Sequence, residues 1–149
     1  MATIHLPPDF KEFFRSLNSH RVEYLLVGGY AVAYHGFPRA TGDLDIWVAR
    51  TPVNAGRIVA ALEDFGFGGE RLSDRLFLED DRIVRMGLPP MRIEILTSIS
   101  GVEFRGAFSR RVCDQLDGEE VSLISLEDLK INKAAAGRHK DLMDLENLP

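Results

Sequence analysis

A mixed α/β (α+β) fold, with a β-sheet flanked by helices, is predicted by three features of the 149-residue sequence. Helical and strand patterns alternate over the first 65 residues, short strands follow, and two helical segments close the chain. That order is typical of a mixed sheet covered by helices. The length indicates a single domain, with a core over about residues 1–123 and a short C-terminal helical extension over about 125–149.

The elements of the first half are predicted from hydrophobic spacing and from boundary residues. Phenylalanines recur at helical spacing after two prolines, an apolar run ends at a glycine pair, and a threonine–proline pair begins a later helix. The predicted elements are helices over residues 9–17, 30–35 and 51–65 and strands over residues 23–27 and 43–48.

The second half alternates short apolar pieces with turn residues. Asp117-Gly118 predicts a hairpin, and Ser125 followed by Asp128 resembles a helix capping box. The predicted elements are strands over residues 75–78, 82–86, 91–96, 111–116 and 120–123 and helices over residues 102–108, 125–136 and 138–147.

The composition excludes several classes of protein. Hydrophobic residues make up 45% of the chain and the net charge is −5, which is typical of a globular protein and argues against a strongly basic nucleic-acid-binding module. The single cysteine, Cys113, excludes an internal disulfide and a cysteine-built zinc site. No apolar run has the length of a membrane span, so we expect a cytoplasmic protein without a membrane partner.

Two aspartates on one strand carry the first chemical prediction. Successive side chains of a strand point to opposite faces, so Asp43 and Asp45 share one face while Leu44 and Ile46 enter the core. Two neighbouring carboxylates repel each other, and a hard divalent cation relieves that repulsion. The pair therefore predicts a magnesium site that leaves room for substrate phosphates.

A glycine pair at the end of the preceding strand leads to a second chemical prediction, a binding site for phosphates. Gly28 and Gly29 allow the backbone to approach a ligand closely, which suits a polyphosphate. The segment is not a Walker loop, because no Lys-Ser/Thr pair follows, and it lacks the G-x-G-x-x-G pattern of dinucleotide-binding proteins.

Together these residues resemble the nucleotidyltransferase superfamily built on the DNA polymerase β-like palm. Its motif is an apolar residue and Gly-Gly or Gly-Ser, a spacer, and then Asp-apolar-Asp/Glu-apolar, which 27–29 and 43–46 match with a long spacer. The superfamily carries a third carboxylate on a later strand, and Glu94 is the best match, although aspartate is commoner at that position.

The C-terminal segment is similar to minimal nucleotidyltransferases related to abortive-infection toxins. In those proteins a helical lysine precedes a Lys-Asp-x-x-Asp segment, here Lys133 before Lys140, Asp141 and Asp144. The resemblance implies a nucleotidyltransferase palm, Mg²⁺ (two ions) and a nucleoside triphosphate, such as ATP, as substrate. It also implies an antitoxin partner of a toxin–antitoxin pair as one hypothesis.

The resemblance implies a role for each matching residue. Asp43, Asp45 and Glu94 would hold the metal, and Glu94 would also take the proton of the acceptor hydroxyl. Lys133 would act as a catalytic cationic clamp on the phosphates. The nucleotide-binding residues would be Gly28, Gly29, Arg39, Thr41, Lys130 and Lys140.

Several alternatives remain open at this point. The lysines could instead pair with nearby helical acids, and the arginines between 71 and 92 could either solvate a sheet edge or form the acceptor surface. The acceptor is a hydroxyl of RNA (a tRNA end, for example), of a protein or of a small molecule. The rival functions are a catalytically silent copy of the fold that acts as a binding or antitoxin-like partner, and an aminoglycoside-type transferase, which usually has a larger C-terminal helical region.

Overall fold

The computed structural model describes residues 4–69 and 72–149. Its helices are α1 (Pro8–Ser19), α2 (Gly28–Tyr34), α3 (Pro52–Phe65), α4 (Phe104–Ser109), α5 (Leu126–Ala136) and α6 (His139–Asn147). Its strands are β1 (Tyr24–Val27), β2 (Leu44–Val48), β3 (Ile83–Met86), β4 (Ile93–Leu96), β5 (Val112–Leu116) and β6 (Glu119–Leu123). The predicted mixed sheet with flanking helices is confirmed.

The six strands form one sheet in the order β3-β4-β2-β1-β6-β5. The parallel pairs are β2 with β4 and β1 with β6, whereas β1–β2, β3–β4 and β5–β6 are antiparallel. The predicted hairpin at Asp117-Gly118 joins β5 to β6, with positive φ at both turn residues as a tight hairpin requires. The two strands that carry the predicted acids, β2 and β4, are therefore immediate neighbours.

Both faces of the sheet are covered by helices. On one face, Leu44 and Ile46 are fully buried in the cluster that contains the phenylalanines of α1 and the apolar side of α3. On the other face, Leu25 and Trp47 pack in a second cluster with residues of α2, α4 and α5. The polar side chains of β2 and β4 point to this second face, so α1 and α3 do not cover them.

Two predicted elements differ from the structure. The strand predicted over residues 75–78 is wrong, because Asp74–Phe77 forms a 3₁₀ helix. Ser73 caps this helix by accepting the Arg75 N–H, and Phe77 is buried in the first core cluster, so the segment covers the core instead of extending the sheet. The short helix predicted from residue 30 begins at Gly28, so both glycines are helical residues.

The described part of the chain contains no helix that is both long enough and apolar enough to cross a membrane.

Candidate active site

The parallel pairing of β2 with β4 brings the predicted carboxylates to one cleft. Asp45 and Glu94 are direct partners in the register of the two strands, so their side chains leave the sheet on the same face. Asp43 precedes Asp45 by two residues and lines the same cleft, whose volume is about 640 Å³. Three carboxylates separated by up to 51 positions in sequence, from Asp43 to Glu94, thus share one polar cavity.

The glycine pair follows β1 at the start of α2 and lies against these residues. Gly28 has φ of +70°, and a Cβ added there would lie 2.1 Å from Oδ2 of Asp45. A Cβ on Gly29 would lie 2.2 Å from Oγ1 of Thr41 and 3.5 Å from Nη1 of Arg39. Neither position has room for a side chain. The glycines therefore allow the backbone to contact the Asp45 carboxylate and the segment before β2.

Asp45 is the most electrostatically perturbed acid of the cleft. Burial, together with the charges of Glu94 and Asp43, raises the pKa of Asp45 to about 7, whereas Lys140 acts in the opposite direction. Its Oδ1 is buried and has no hydrogen-bond partner among the described residues. An unpartnered carboxylate oxygen in such a position favours a bound cation or proton.

Arginines contact one oxygen of Asp43 and one oxygen of Glu94. Arg92 Nη2 donates to Asp43 Oδ2 at 2.8 Å and also lies 3.2 Å from Glu94 Oε1. Arg85, the antiparallel partner of Glu94 on β3, donates from Nε to the same oxygen at 3.2 Å. Within residues 4–69 and 72–149, no three acidic, histidine or cysteine side chains are spaced as metal ligands.

Lys133 lies at the rim of the cleft in a buried ionic cluster. Its Nζ lies 3.0 Å from Asp144 Oδ2 and 3.3 Å from Asp141 Oδ1, and the side chains of these three residues are almost completely buried. Arg39 donates two hydrogen bonds to Asp144, at 2.7 and 2.9 Å, and Arg138 donates to Asp141 at 2.7 Å. The cluster therefore ties α5 and α6 to the segment before β2.

The acids of this cluster are held in the ionised form. Burial alone would raise the pKa of Asp141 and of Asp144. Arg138 and Lys133 outweigh this effect at Asp141, Arg39 and Lys133 outweigh it at Asp144, and both pKa values fall below the usual range. Lys133 therefore forms ion pairs with two carboxylates and also lines the cleft.

The structure brings together most of the predicted nucleotide-binding residues. Gly28, Gly29, Arg39 and Lys140 line the cleft along with Lys133. Thr41 lies behind Gly29, and Lys130 is not among the lining residues. Lys140 does not pair with Asp144, whose oxygens are taken by Arg39 and Lys133.

Three arginines of the cleft were not predicted as site residues. Arg85 and Arg92 line it, which favours a role in the site over solvation of a sheet edge for these two, and Arg138 lines it from the start of α6. The position of Arg92 could have been found, since the strand alternation that exposes Glu94 also places Arg92 on its face. Arg82 instead pairs with Glu79 at the surface. Arg71 lies outside the described residues.

The donor chemistry of the cleft fits magnesium. The carboxylates of Asp43, Asp45 and Glu94 are the hard oxygen ligands that Mg²⁺ prefers, and Asp45 Oδ1 is buried without a partner in the described part of the chain. The guanidinium between Asp43 and Glu94 indicates that this position already attracts a cation. Basic side chains around the acids suit a polyphosphate.

Comparison with known proteins identifies the class of fold. No protein-family model matches the sequence, and no curated protein matches it significantly. The fold is similar to the crystal structure of a protein provisionally named as a nucleotidyltransferase (TM1012) from Thermotoga maritima, with a TM-score of 0.62 and 16% sequence identity. The match covers 92% of this chain and 88% of the Thermotoga chain.

The chain therefore has a nucleotidyltransferase-like α+β fold. At this identity the likeness concerns the fold alone, and the chemistry of the site has to be argued from its own residues.

Proposed function

We propose that the protein is a Mg²⁺-dependent nucleotidyltransferase, which transfers a nucleoside monophosphate from a nucleoside triphosphate to an acceptor hydroxyl. The observation that carries the proposal is the convergence of Asp43, Asp45 and Glu94 in one cleft against the backbone of Gly28. The nucleotidyltransferase-like fold supports the same chemistry. RNA, protein and small-molecule hydroxyls are all candidate acceptors.

In the proposed reaction the acceptor oxygen attacks the α-phosphorus and forms the new P–O bond. The bond from the α-phosphorus to the bridging oxygen breaks, and pyrophosphate leaves. Glu94 takes the proton of the attacking hydroxyl. Magnesium held by Asp43, Asp45 and Glu94 would neutralise the phosphate charge and lower the pKa of the hydroxyl.

The basic residues have a separate part in the proposal. Lys140 and Arg138 lie on the C-terminal side of the cleft, while Gly28 and Gly29 leave its floor open for the triphosphate. Lys133 and Arg39 hold α5 and α6 against the rest of the site through Asp141 and Asp144. Lys140 and Arg138 would therefore contact phosphate directly. Lys133 and Arg39 would position the wall of the cleft.

The experiment is a label-transfer assay with each α-³²P nucleoside triphosphate, Mg²⁺ and a cell extract as the source of acceptors. Wild type should label RNA, protein or a small molecule, and Asp45→Asn and Glu94→Gln should reduce labelling by on the order of 10²-fold or more. Asp9→Asn, an exposed residue of α1, makes the same chemical change far from the cleft and should retain activity. Equal labelling by wild type and Asp45→Asn would refute the proposal.

A catalytically silent fold is the second candidate, and one observation favours it. Arg92 occupies Asp43 and Glu94, as expected of a site whose acids serve only an internal ion pair. A silent protein would transfer no label, and its affinity for a nucleoside triphosphate would be independent of Mg²⁺.

A further inference from the structure

Arg92 makes its contacts at the centre of the acidic cleft through a single nitrogen. Nη2 donates a hydrogen bond to Asp43 Oδ2 at 2.8 Å and lies 3.2 Å from Glu94 Oε1, so this one nitrogen contacts a carboxylate just before β2 and a carboxylate on β4. The hydrogen bond to Asp43 raises the pKa of Arg92 above its already high usual value, and an arginine guanidinium stays charged in proteins. It neutralises acids that would otherwise repel each other.

The backbone of Arg92 is fixed, but its side chain is not sealed in place. The carbonyl oxygen of Arg92 accepts the Leu44 N–H at 2.9 Å, which anchors the residue at the start of β4. The side chain is 30% exposed, and its Nε is buried without a hydrogen-bond partner in the described residues. A guanidinium held through one nitrogen, with an unsatisfied donor beside it, can leave at a small cost.

The oxygens that Arg92 occupies are two of the predicted metal donors. A divalent cation on Asp43 and Glu94 would lie close to the guanidinium, and two positive centres repel strongly in a partly buried site. These oxygens can therefore hold either the divalent cation or the guanidinium of Arg92, but not both at once. A triphosphate in the same cleft would offer the displaced guanidinium a new anionic partner, for which its planar fork of donors is well suited.

We propose that Arg92 is a displaceable internal cation that competes with the divalent metal for Asp43 and Glu94 and turns to the triphosphate when the metal binds. This inference rests on the proposed function, because it assumes that the three carboxylates hold metal. It makes Arg92 a nucleotide-contacting residue of the site. Metal alone binds weakly in this account, and metal and nucleotide favour each other's binding.

The test measures binding and not turnover. Mn²⁺ replaces Mg²⁺ as the probe, its free concentration is followed by electron paramagnetic resonance, and no nucleotide is present. Arg92→Gln should bind Mn²⁺ on the order of tenfold more tightly than wild type, which corresponds to about 1.4 kcal/mol. Arg57→Gln, which removes one exposed charge from α3, controls for net charge and should resemble wild type.

A second titration uses α,β-methylene-ATP at saturating Mn²⁺, because this analogue cannot release pyrophosphate. Arg92→Gln should now bind the analogue on the order of tenfold more weakly than wild type, so that one substitution has opposite effects on metal and nucleotide. Arg92→Lys keeps the charge but not the fork of donors, so its affinity for the analogue should fall between those of wild type and Arg92→Gln. It also supplies a folded variant if circular dichroism shows that Arg92→Gln is not native.

Each outcome separates the two proposals. Tighter Mn²⁺ and weaker analogue binding by Arg92→Gln supports the competition. Unchanged or weaker Mn²⁺ binding by Arg92→Gln, while Asp45→Asn abolishes that binding, overturns the competition and leaves the nucleotidyltransferase proposal standing. If Asp45→Asn leaves Mn²⁺ binding unaffected both in the wild-type protein and in the Arg92→Gln variant, the metal site is overturned and both proposals fail with it.

Discussion

Gly28 and Asp45 are in direct contact, since a Cβ on Gly28 would lie 2.1 Å from the aspartate Oδ2. The contact joins the two halves of the predicted motif, the glycine pair and the acid pair. It is made possible by the antiparallel register of β1 and β2, in which Val27 faces Asp45. A glycine is therefore required at this position both for its positive φ and for space.

Gly28→Ala should damage the site more than its backbone conformation alone explains. Alanine at positive φ costs on the order of 1 kcal/mol, and displacement of the buried Asp45 carboxylate adds to this. Gly118→Ala is the matched control, because Gly118 has φ of +84° but open space around it. Urea unfolding should show that Gly28→Ala lowers the free energy of unfolding by at least about 1 kcal/mol more than Gly118→Ala does. Equal losses would contradict the contact.

Lys133→Met should reduce stability strongly, because it leaves Asp141 and Asp144 buried with one cation fewer each. Removal of one partner from a buried ionic cluster typically costs about 3–5 kcal/mol. Lys130→Met, one turn earlier in the same helix and outside the cluster, should change the free energy of unfolding by less than about 0.5 kcal/mol. A similar small change in both variants would show that Lys133 has no structural role.

The protonation of Asp45 predicts a pH dependence of stability with a definite sign. The folded protein keeps a proton on Asp45 up to a pKa of about 7, whereas the unfolded chain releases it near 3.8. The folded state therefore binds more protons between these values, and the contribution of Asp45 to stability decreases as the pH rises from about 4 to 7.

This contribution can be isolated by comparison with Asp45→Asn. The free energy of unfolding of wild type, minus that of the variant, should fall by about 3 kcal/mol between pH 4.5 and 8 in the absence of divalent cations. Asp141 and Asp144 have lowered pKa values, so they lose their contribution only at acid pH and are common to both proteins. Asp9→Asn should track wild type. A difference that stays constant with pH would contradict the raised pKa.

Most of the fold could be predicted because its elements are set by local patterns. Strand alternation correctly placed Leu44 and Ile46 in the core and left Asp43 and Asp45 on the cleft face. The 3₁₀ helix at Asp74–Phe77 was missed because the burial of Phe77 beneath α3 is a tertiary effect that four residues do not reveal.

The ionic partners of the site could not be predicted for the same reason. Arg92 is 49 residues from Asp43, and Arg39 is 105 residues from Asp144, so neither pair follows from spacing along a helix or strand. The first pair depends on the parallel pairing of β2 with β4, and the second depends on the return of α6 to the segment before β2. The sequence motifs identify the acids, and the tertiary structure determines which cation each acid holds.

The central claim, that this cleft binds a nucleoside triphosphate through a metal held by its carboxylates, is tested most directly by calorimetry. α,β-methylene-ATP is titrated into wild type, Asp45→Asn and Asp9→Asn, with Mg²⁺ and with a chelator. The account predicts binding to wild type and Asp9→Asn that disappears with the chelator, and affinity at least about tenfold lower for Asp45→Asn. Binding that is equal with and without Mg²⁺, or unchanged by Asp45→Asn, would contradict it.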